Sequence, residues 1–499
     1  MRRHDEGESA GALGAEDVLV LAAVVALPWF WGGVELDAYR SAAAIVASAA
    51  GWALVQHGSS GLGLGRRALW LLPAFLLGAF ALAQTVPLPR TWVAGLSPTA
   101  ASIQTSAFGP EGQGSGPWLR QIEEDARARV PEAAEASAGR TGPLNLGREA
   151  PPPPKRFTLS LQPAATLERV CWYAALLLAF LLVSCRTANE RRAGVYRATL
   201  FVSFGVLAAV GTLNLVTAPD SLLWLRAAPE GTRPFGPFVN PDHFAGAMEL
   251  AVPWLLGYGL MPQANRGAAE RRLPGRILAL AGAVIGAAAA LLAASKMAAA
   301  TIGVASLVLI ALAIRRGRGR RFLLAGTVSA ALLLSAIVLY GPLRGRVADF
   351  EAVHRGGASP NARSLAWTAG IRMGEDYMLT GSGFGAFSDV FPAYLPRGDS
   401  ESWLQLHNDY LEVYLGGGLV AAALVSWLAV AYSVRLARVI RSEWSRHRGL
   451  PSIGLALGLL ALAAHEAVDF NLQVPANALL FVVIAAIGVS PLAGSAEGP

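Results

Sequence analysis

Arg363, Arg372, His407 and Asn408 fall within one polar stretch, residues 361–419, of an otherwise apolar chain: NARSLAWTAGIRMGEDYMLTGSGFGAFSDVFPAYLPRGDSESWLQLHNDYLEVYLGGGL. A guanidinium grips phosphate with a two-pronged fork, and an ammonium adds a compact point charge. Imidazole is the side chain whose unperturbed pKa lies nearest neutrality, as a general acid or base requires. Further polar groups stand elsewhere in the chain: Arg233 with Asn240, Asp242 and His243; Lys296; and Asp469 with Asn471. Cations beside a histidine suit glycosyl transfer, in which arginines hold a diphosphate leaving group and the histidine activates a hydroxyl. The sequence contains no P-loop, HExxH, CxxC or GxSxG pattern, which disfavours ATP hydrolysis, zinc proteolysis and serine hydrolysis.

Each candidate also has a plainer reading. Arg344, Arg346, Arg355 and Arg397 read as solvated charges, and Arg372 divides evenly between ligand contact and an ion pair with Glu375 or Asp376. Lys296 can cap a helical hairpin or snorkel to the interface. Asp242-His243 is too short a motif to make a metal site. His465, four residues before Asp469 inside an apolar run, reads as packing or an intrahelical hydrogen bond. Gly381-Ser382-Gly383-Phe384-Gly385 reads better as a turn than as a phosphate cradle, because no lysine follows it. Trp403, Tyr410 and Tyr414 suit either a membrane-interface belt or a platform for sugar rings.

The elements that must position these residues are membrane helices. The chain has 499 residues, 54% hydrophobic and 15% charged, too apolar for a soluble protein of this length. Runs long enough to span occur at roughly 16–34, 38–56, 68–86, 165–185, 197–217, 243–261, 277–294, 297–314, 322–341, 409–434, 449–468 and 476–492. The fold expected is therefore all-α and polytopic, with about twelve transmembrane helices. Basic residues follow the even-numbered spans: Arg66 and Arg67; Arg186, Arg191, Arg192 and Arg197; Arg266, Arg271, Arg272 and Arg276; the run Arg315 to Arg321; and Arg435, Arg438, Arg441, Arg446 and Arg448. Short odd-numbered connections hold only Arg40, Arg226, Arg233 and Lys296. The positive-inside rule then puts both termini in the cytoplasm and the polar features outside. The net charge of +7 reflects these topology signals and not a nucleic-acid partner. Residues 1–499 read as one membrane domain with three larger outer connections, 87–162 with a low-complexity middle, 218–242 and 342–408. The first span reads as a retained helix, since no small-residue cleavage pattern follows it. Cys171 and Cys185 share one predicted helix about 21 Å apart, too far to pair, and read as small core residues.

Several segments resemble the O-antigen ligase and polymerase family of bacterial inner-membrane glycosyltransferases. PFGPFVNPDHFAGAMELAVP, with Arg233, Gly236, Phe238, Asn240 and Phe244 in register, is similar to the family's Arg-x-x-Gly-x-Phe-x-Asn-x-Asn-x-Phe-Ala segment. SKMAAATIGV resembles its Ser-Arg-Gly segment, and RSLAWTAGIRMGEDYMLTGSGFGAF followed by HNDYLEVYLGGGL resembles its large periplasmic loop. QTVPLP, LSP and LSLQPAATLERV resemble the connecting segments of the N-terminal half. The resemblance implies a GT-C-like architecture and a metal-independent transferase without cofactor at the periplasmic face of the inner membrane. It implies an undecaprenyl-diphosphate-linked glycan as donor and a hydroxyl of lipid A core, or of a growing glycan, as acceptor. Carried onto this sequence, it assigns His407 and Arg363 to catalysis and Arg233, Lys296 and Arg372 to the donor diphosphate. Asn240, His243, Trp367 and Asn408 take supporting roles. Lys296 stands where the family usually has Arg, and Asp242 where Asn is common. The competing reading is a transporter or flippase of lipid-linked saccharides, which predicts basic groups deep within several spans. Here they cluster at span edges and in loops.

Overall fold

The computed structural model describes residues 12–63, 69–106, 154–229, 232–261, 266–316, 360–395, 403–446 and 449–490. The predicted span at 322–341, the low-complexity middle of the first outer connection and the 342–359 and 396–402 parts of the second lie outside them. The first helices are α1 (Ala15–Ala26), α2 (Leu36–His57), α3 (Leu72–Ala83), α4 (Arg90–Leu96), α5 (Pro98–Ser106), α6 (Pro163–Arg186) and α7 (Glu190–Thr217). There follow α8 (Pro241–Gly259), α9 (Arg266–Leu292), α10 (Lys296–Arg315), α11 (Pro360–Asp376), α12 (Phe387–Val390), α13 (Asp409–Ser445), α14 (Gly449–His465) and α15 (Pro475–Val489). Two short antiparallel pairs accompany them: β1 (Leu88–Pro89) with β2 (Arg156–Phe157), and β3 (Ser221–Leu222) with β4 (Arg226–Ala227).

The chain is an all-α polytopic membrane protein. Six described helices are long and apolar enough to cross a bilayer, and three shorter apolar ones, Leu72–Ala83, Gly449–His465 and Pro475–Gly488, fall on other predicted spans. The expected count of about twelve is not reached among the described residues. Two predicted spans differ in form. The run at 16–34 is helical only to Ala26, after which Pro28 and the left-handed Gly32 and Gly33 turn the chain through two 3-10 segments. The run at 409–434 is broken at Gly418, whose φ of 62° lies outside helical geometry. Cys171 and Cys185 do share α6, but Cys171 is exposed and Cys185 half-buried, so neither is a core residue.

The residues form two compact units: Met1–Leu72 with Trp172–Gly357 and Leu428–Pro499, and Pro73–Cys171 with Ala358–Trp427. In the first, α8 is buried along nearly its whole length and packs against α9, α10, α14 and α15. Lipid tails are as apolar as leucine, so helices in a bilayer associate through close packing more than through the hydrophobic effect. Gly458 of α14 supplies that closeness: a Cβ there would lie 2.9 Å from the Leu250 carbonyl oxygen and 3.0 Å from that of Glu249. The same unit buries an ionic latch. Arg186 at the end of α6 grips Asp17 with two bonds of 3.0 and 2.7 Å and reaches Glu16 at 2.9 Å, while the Tyr196 hydroxyl donates to Asp17 at 3.1 Å.

In the second unit, Met373, Tyr377, Phe387, Phe391, Leu406 and Leu415 form the core. Gln84, wholly buried, donates to the carbonyls of Thr380 (2.7 Å) and Gly416 (2.9 Å) and accepts from the Phe384 N–H. One side chain thus ties the end of α3 to the turn after α11 and to the start of α13. The Gly418 break belongs to the same joint, because the Leu419 N–H, freed from the helix, donates to the Met378 carbonyl at 2.8 Å.

Candidate functional site

His407 is the residue before the N-cap of α13, and its backbone is left-handed, with φ at 54°. That region costs an ordinary L-residue roughly 1–2 kcal/mol, so the surroundings must enforce it. They do so through the preceding residue. The Trp367 indole N–H donates to the Leu406 carbonyl at 3.1 Å, the Leu406 N–H donates to the Glu412 carboxylate, and the Leu406 side chain is wholly buried. On the other side Asn408 caps α13, its Oδ1 accepting the Leu411 N–H at 3.0 Å. The Trp403 ring meets the His407 ring edge-on at 6.2 Å. Trp367 and Asn408 therefore support His407 by fixing the chain on either side of it. Glu412 and Trp403 do the same work, and sequence reading missed the first entirely. Its only signal was an acid one turn into a helix that starts at an Asn.

Arg363 lies one turn before Trp367 on the same face of α11, the face that reaches Leu406. Arg372 follows nine residues later, about two and a half turns on, and so emerges on the opposite, exposed side with Leu365 and Ile371. Helix periodicity thus sets Arg363 on the Trp367 face of α11 and Arg372 on the other.

The Gly381–Gly385 segment is a turn. Gly381, Gly383 and Gly385 all have positive φ. The N–H groups of Ser382 and Gly383 are spent on the carbonyls of Leu415 (2.9 Å) and Gly416 (3.1 Å), and that of Gly381 on Tyr377. With the Phe384 N–H on Gln84, no successive N–H groups remain to cradle a phosphate.

In the first unit, Arg233 precedes a tight turn in which Phe235 and Phe238 exchange both backbone hydrogen bonds, at 2.9 and 3.1 Å. Gly236 at its tip has φ of 56°, and a Cβ there would press on the Gly211 Cα at 2.8 Å. Phe235, Phe238 and Phe244 are buried beneath it, which leaves Arg233 exposed at the mouth of an anchored loop. Asn240 caps α8, accepting the Asp242 N–H at 2.9 Å, and its amide nitrogen lies 3.5 Å from His243 Nε2. Lys296 is exposed on the first turn of α10, whose N-cap is Ser295. Lys296 therefore stands at the tip of the α9–α10 hairpin, and Ser295 supplies the helix cap. A cation at a helix N-terminus opposes the helix dipole, and an anion bound there reverses the sign of that interaction.

Beside this loop lies a cluster of which sequence reading placed Asp242, His243 and Asp469 on one membrane face, set His465 apart and missed Glu249. His465 Nδ1 is 2.9 Å from Glu249 Oε2, and the other Glu249 oxygen takes the Thr301 hydroxyl, so that α8, α10 and α14 meet at one carboxylate. His465 Nε2 is 3.6 Å from Asp469 Oδ2, and His243 Nε2 is 3.9 Å from Asp469 Oδ1. Ligand atoms of Asp242, His465 and Asp469 all lie within 4.8 Å of one another. The intrahelical hydrogen bond read for His465 is not formed: its helix ends at His465, Asp469 lies 3.6 Å away, and the hydrogen-bond partner is Glu249 of α8.

A family model described as O-antigen ligase matches residues 281–426. That range holds Lys296, Arg363, Trp367, Arg372, His407 and Asn408, and leaves Arg233, Asn240 and His243 upstream of it. No curated protein matches the chain.

Proposed function

We propose, from the premise that residues 281–426 carry the O-antigen ligase domain, that this chain transfers a glycan from an undecaprenyl-diphosphate-linked donor to an acceptor hydroxyl. The family match supports glycan transfer of the ligase or polymerase type, with a lipid-linked glycan and an acceptor as partners. The finer reading adds the inner membrane as location, both termini in the cytoplasm, the periplasmic face for the reaction, and a hydroxyl of lipid A core or of the growing glycan as acceptor. The alternating arginines of the connections support that orientation. All 499 residues act as one functional membrane domain, in which the connections 87–162 and 342–408 are periplasmic.

The observation that carries the mechanism is the enforced left-handed backbone of His407, inside the matched segment and supported from the helix that bears Arg363. His407 takes the proton from the acceptor hydroxyl as its oxygen attacks the anomeric carbon. The bond from that carbon to the diphosphate oxygen breaks, and undecaprenyl diphosphate departs with the bonding pair. Arg363 stabilises the developing charge, Arg233 and Lys296 hold the diphosphate, and Arg372 contributes from the outer side of α11. Asn240 and His243 shape the Arg233 loop, while Trp367 and Asn408 fix His407. The transfer itself needs no metal, since cationic side chains supply the electrophilic role. In proteoliposomes given the purified lipid-linked donor and an acceptor, Arg363→Ala and His407→Ala abolish formation of the new glycosidic bond while inserting normally. Unimpaired transfer by both variants overturns these roles, and transbilayer movement of donor without a covalent product identifies a flippase instead.

A further inference from the structure

We infer that Asp242, His465 and Asp469 bind one divalent metal ion of the zinc class, which fastens the start of α8 to the end of α14 and stands apart from the transfer chemistry. The donor set is built for a cation. His465 Nδ1 faces a Glu249 oxygen at 2.9 Å, and Glu249 is wholly buried. A carboxylate on one imidazole nitrogen is the outer-shell arrangement of metal-bound histidines, which present their other nitrogen to the ion. That second nitrogen, Nε2, points to Asp469 Oδ2 across 3.6 Å. The distance is longer than a normal N–H···O bond of about 2.7–3.2 Å. It suits two ligands that each bind one ion at about 2.0–2.2 Å.

His243 repeats the pattern. Asn240 Oδ1 accepts the Asp242 N–H, which turns the amide nitrogen toward His243 Nε2 at 3.5 Å and makes that ring nitrogen an acceptor. The same Nε2 stands 3.9 Å from Asp469 Oδ1. Asn477, wholly buried, holds the neighbouring backbone in place: its Nδ2 donates to the His243 carbonyl at 2.8 Å and to Asn471 Oδ1 at 3.2 Å. Imidazole with carboxylate oxygen favours zinc and its first-row neighbours over calcium or magnesium, which take oxygen alone. Three protein ligands leave one position for water.

The test uses the full chain purified in detergent, stripped with chelator and titrated with zinc. One equivalent is expected to be retained after desalting. His465→Ala and Asp469→Asn lose it, His57→Ala, a histidine outside the cluster, keeps it, and Glu249→Gln weakens it by about 10–100-fold. No retained metal, or a full equivalent in both ligand variants, overturns the inference. Where those variants fail to fold, cobalt added to the unaltered chain decides. Visible absorption saturating at one equivalent and displaced by zinc supports the site, and a featureless titration rejects it. These readouts are metal content and spectra, so the outcome stands whether or not the chain transfers glycans.

Discussion

His407, Arg363 and Arg372 occupy one unit, and their surroundings separate them. The backbone before His407 is clamped by Trp367 and Glu412, and Arg363 is half-buried on the helix face that reaches this clamp. Arg372 is exposed on the far face. Arg372→Ala is therefore expected to lower kcat/KM by less than tenfold, against a loss of several hundredfold for Arg363→Ala, measured with one donor and acceptor pair. Equal losses would show that both arginines grip the same diphosphate. Trp367→Phe keeps the ring's bulk but removes the donor to Leu406, a hydrogen bond of about 1 kcal/mol. Its effect should fall on kcat and spare KM for the acceptor, because the bond positions His407 and touches no substrate. The residue types of the proposed site stand out in the sequence, since an imidazole and guanidinium groups are rare in an apolar chain. Their ranking does not, because the face on which an arginine emerges depends on where its helix begins.

Hydropathy located the helices well wherever the apolar run was also a regular one. The runs at 165–185, 197–217, 243–261 and 297–314 coincide within a few residues with α6, α7, α8 and α10, apart from an earlier start for α7. Reading failed at Pro28 and at Gly418, where one backbone dihedral ends a helix inside an apolar stretch that hydropathy cannot resolve. Polar partnerships across helices were equally hidden. Glu249 and His465 are 216 positions apart, and nothing local to either marks the other. The latch of Asp17 with Arg186 has the same character and gives a prediction at this scale. Breaking a buried pair from one side costs about 3–5 kcal/mol, and Glu16, 2.9 Å from Arg186, offsets only part of that for Asp17→Asn. Asp17→Asn should thus lower the thermal midpoint of the detergent-purified chain by several degrees. Joint replacement of Glu16, Asp17 and Arg186 by leucine or methionine should recover most of it. A triple variant less stable than Asp17→Asn would argue that the latch fixes orientation during insertion as well.

At the scale of the whole molecule, the reading depends on which side of the membrane each connection occupies. The arginines of the connections predict one pattern throughout, with residue 363 outside and residue 316 inside. Cys171 is exposed, so a labelling experiment must start from Cys171→Ser with Cys185→Ser. A single cysteine introduced at position 365, beside Arg363 on an exposed site, should then react with a membrane-impermeant maleimide in intact spheroplasts. One at position 438 should react only after the membrane is opened. The reverse pattern would remove the periplasmic chemistry proposed above, whatever the activity of the purified protein.

The backbone at position 407 has a practical consequence. Asparagine shares histidine's tolerance for left-handed dihedrals, while β-branched and bulky residues resist them. His407→Asn should therefore preserve the native shape of the loop, verified by an unchanged melting curve, with proton acceptance gone. Such a stalled protein offers a means of trapping the lipid-borne donor in place for imaging, which an alanine or valine variant with a relaxed loop would serve less well.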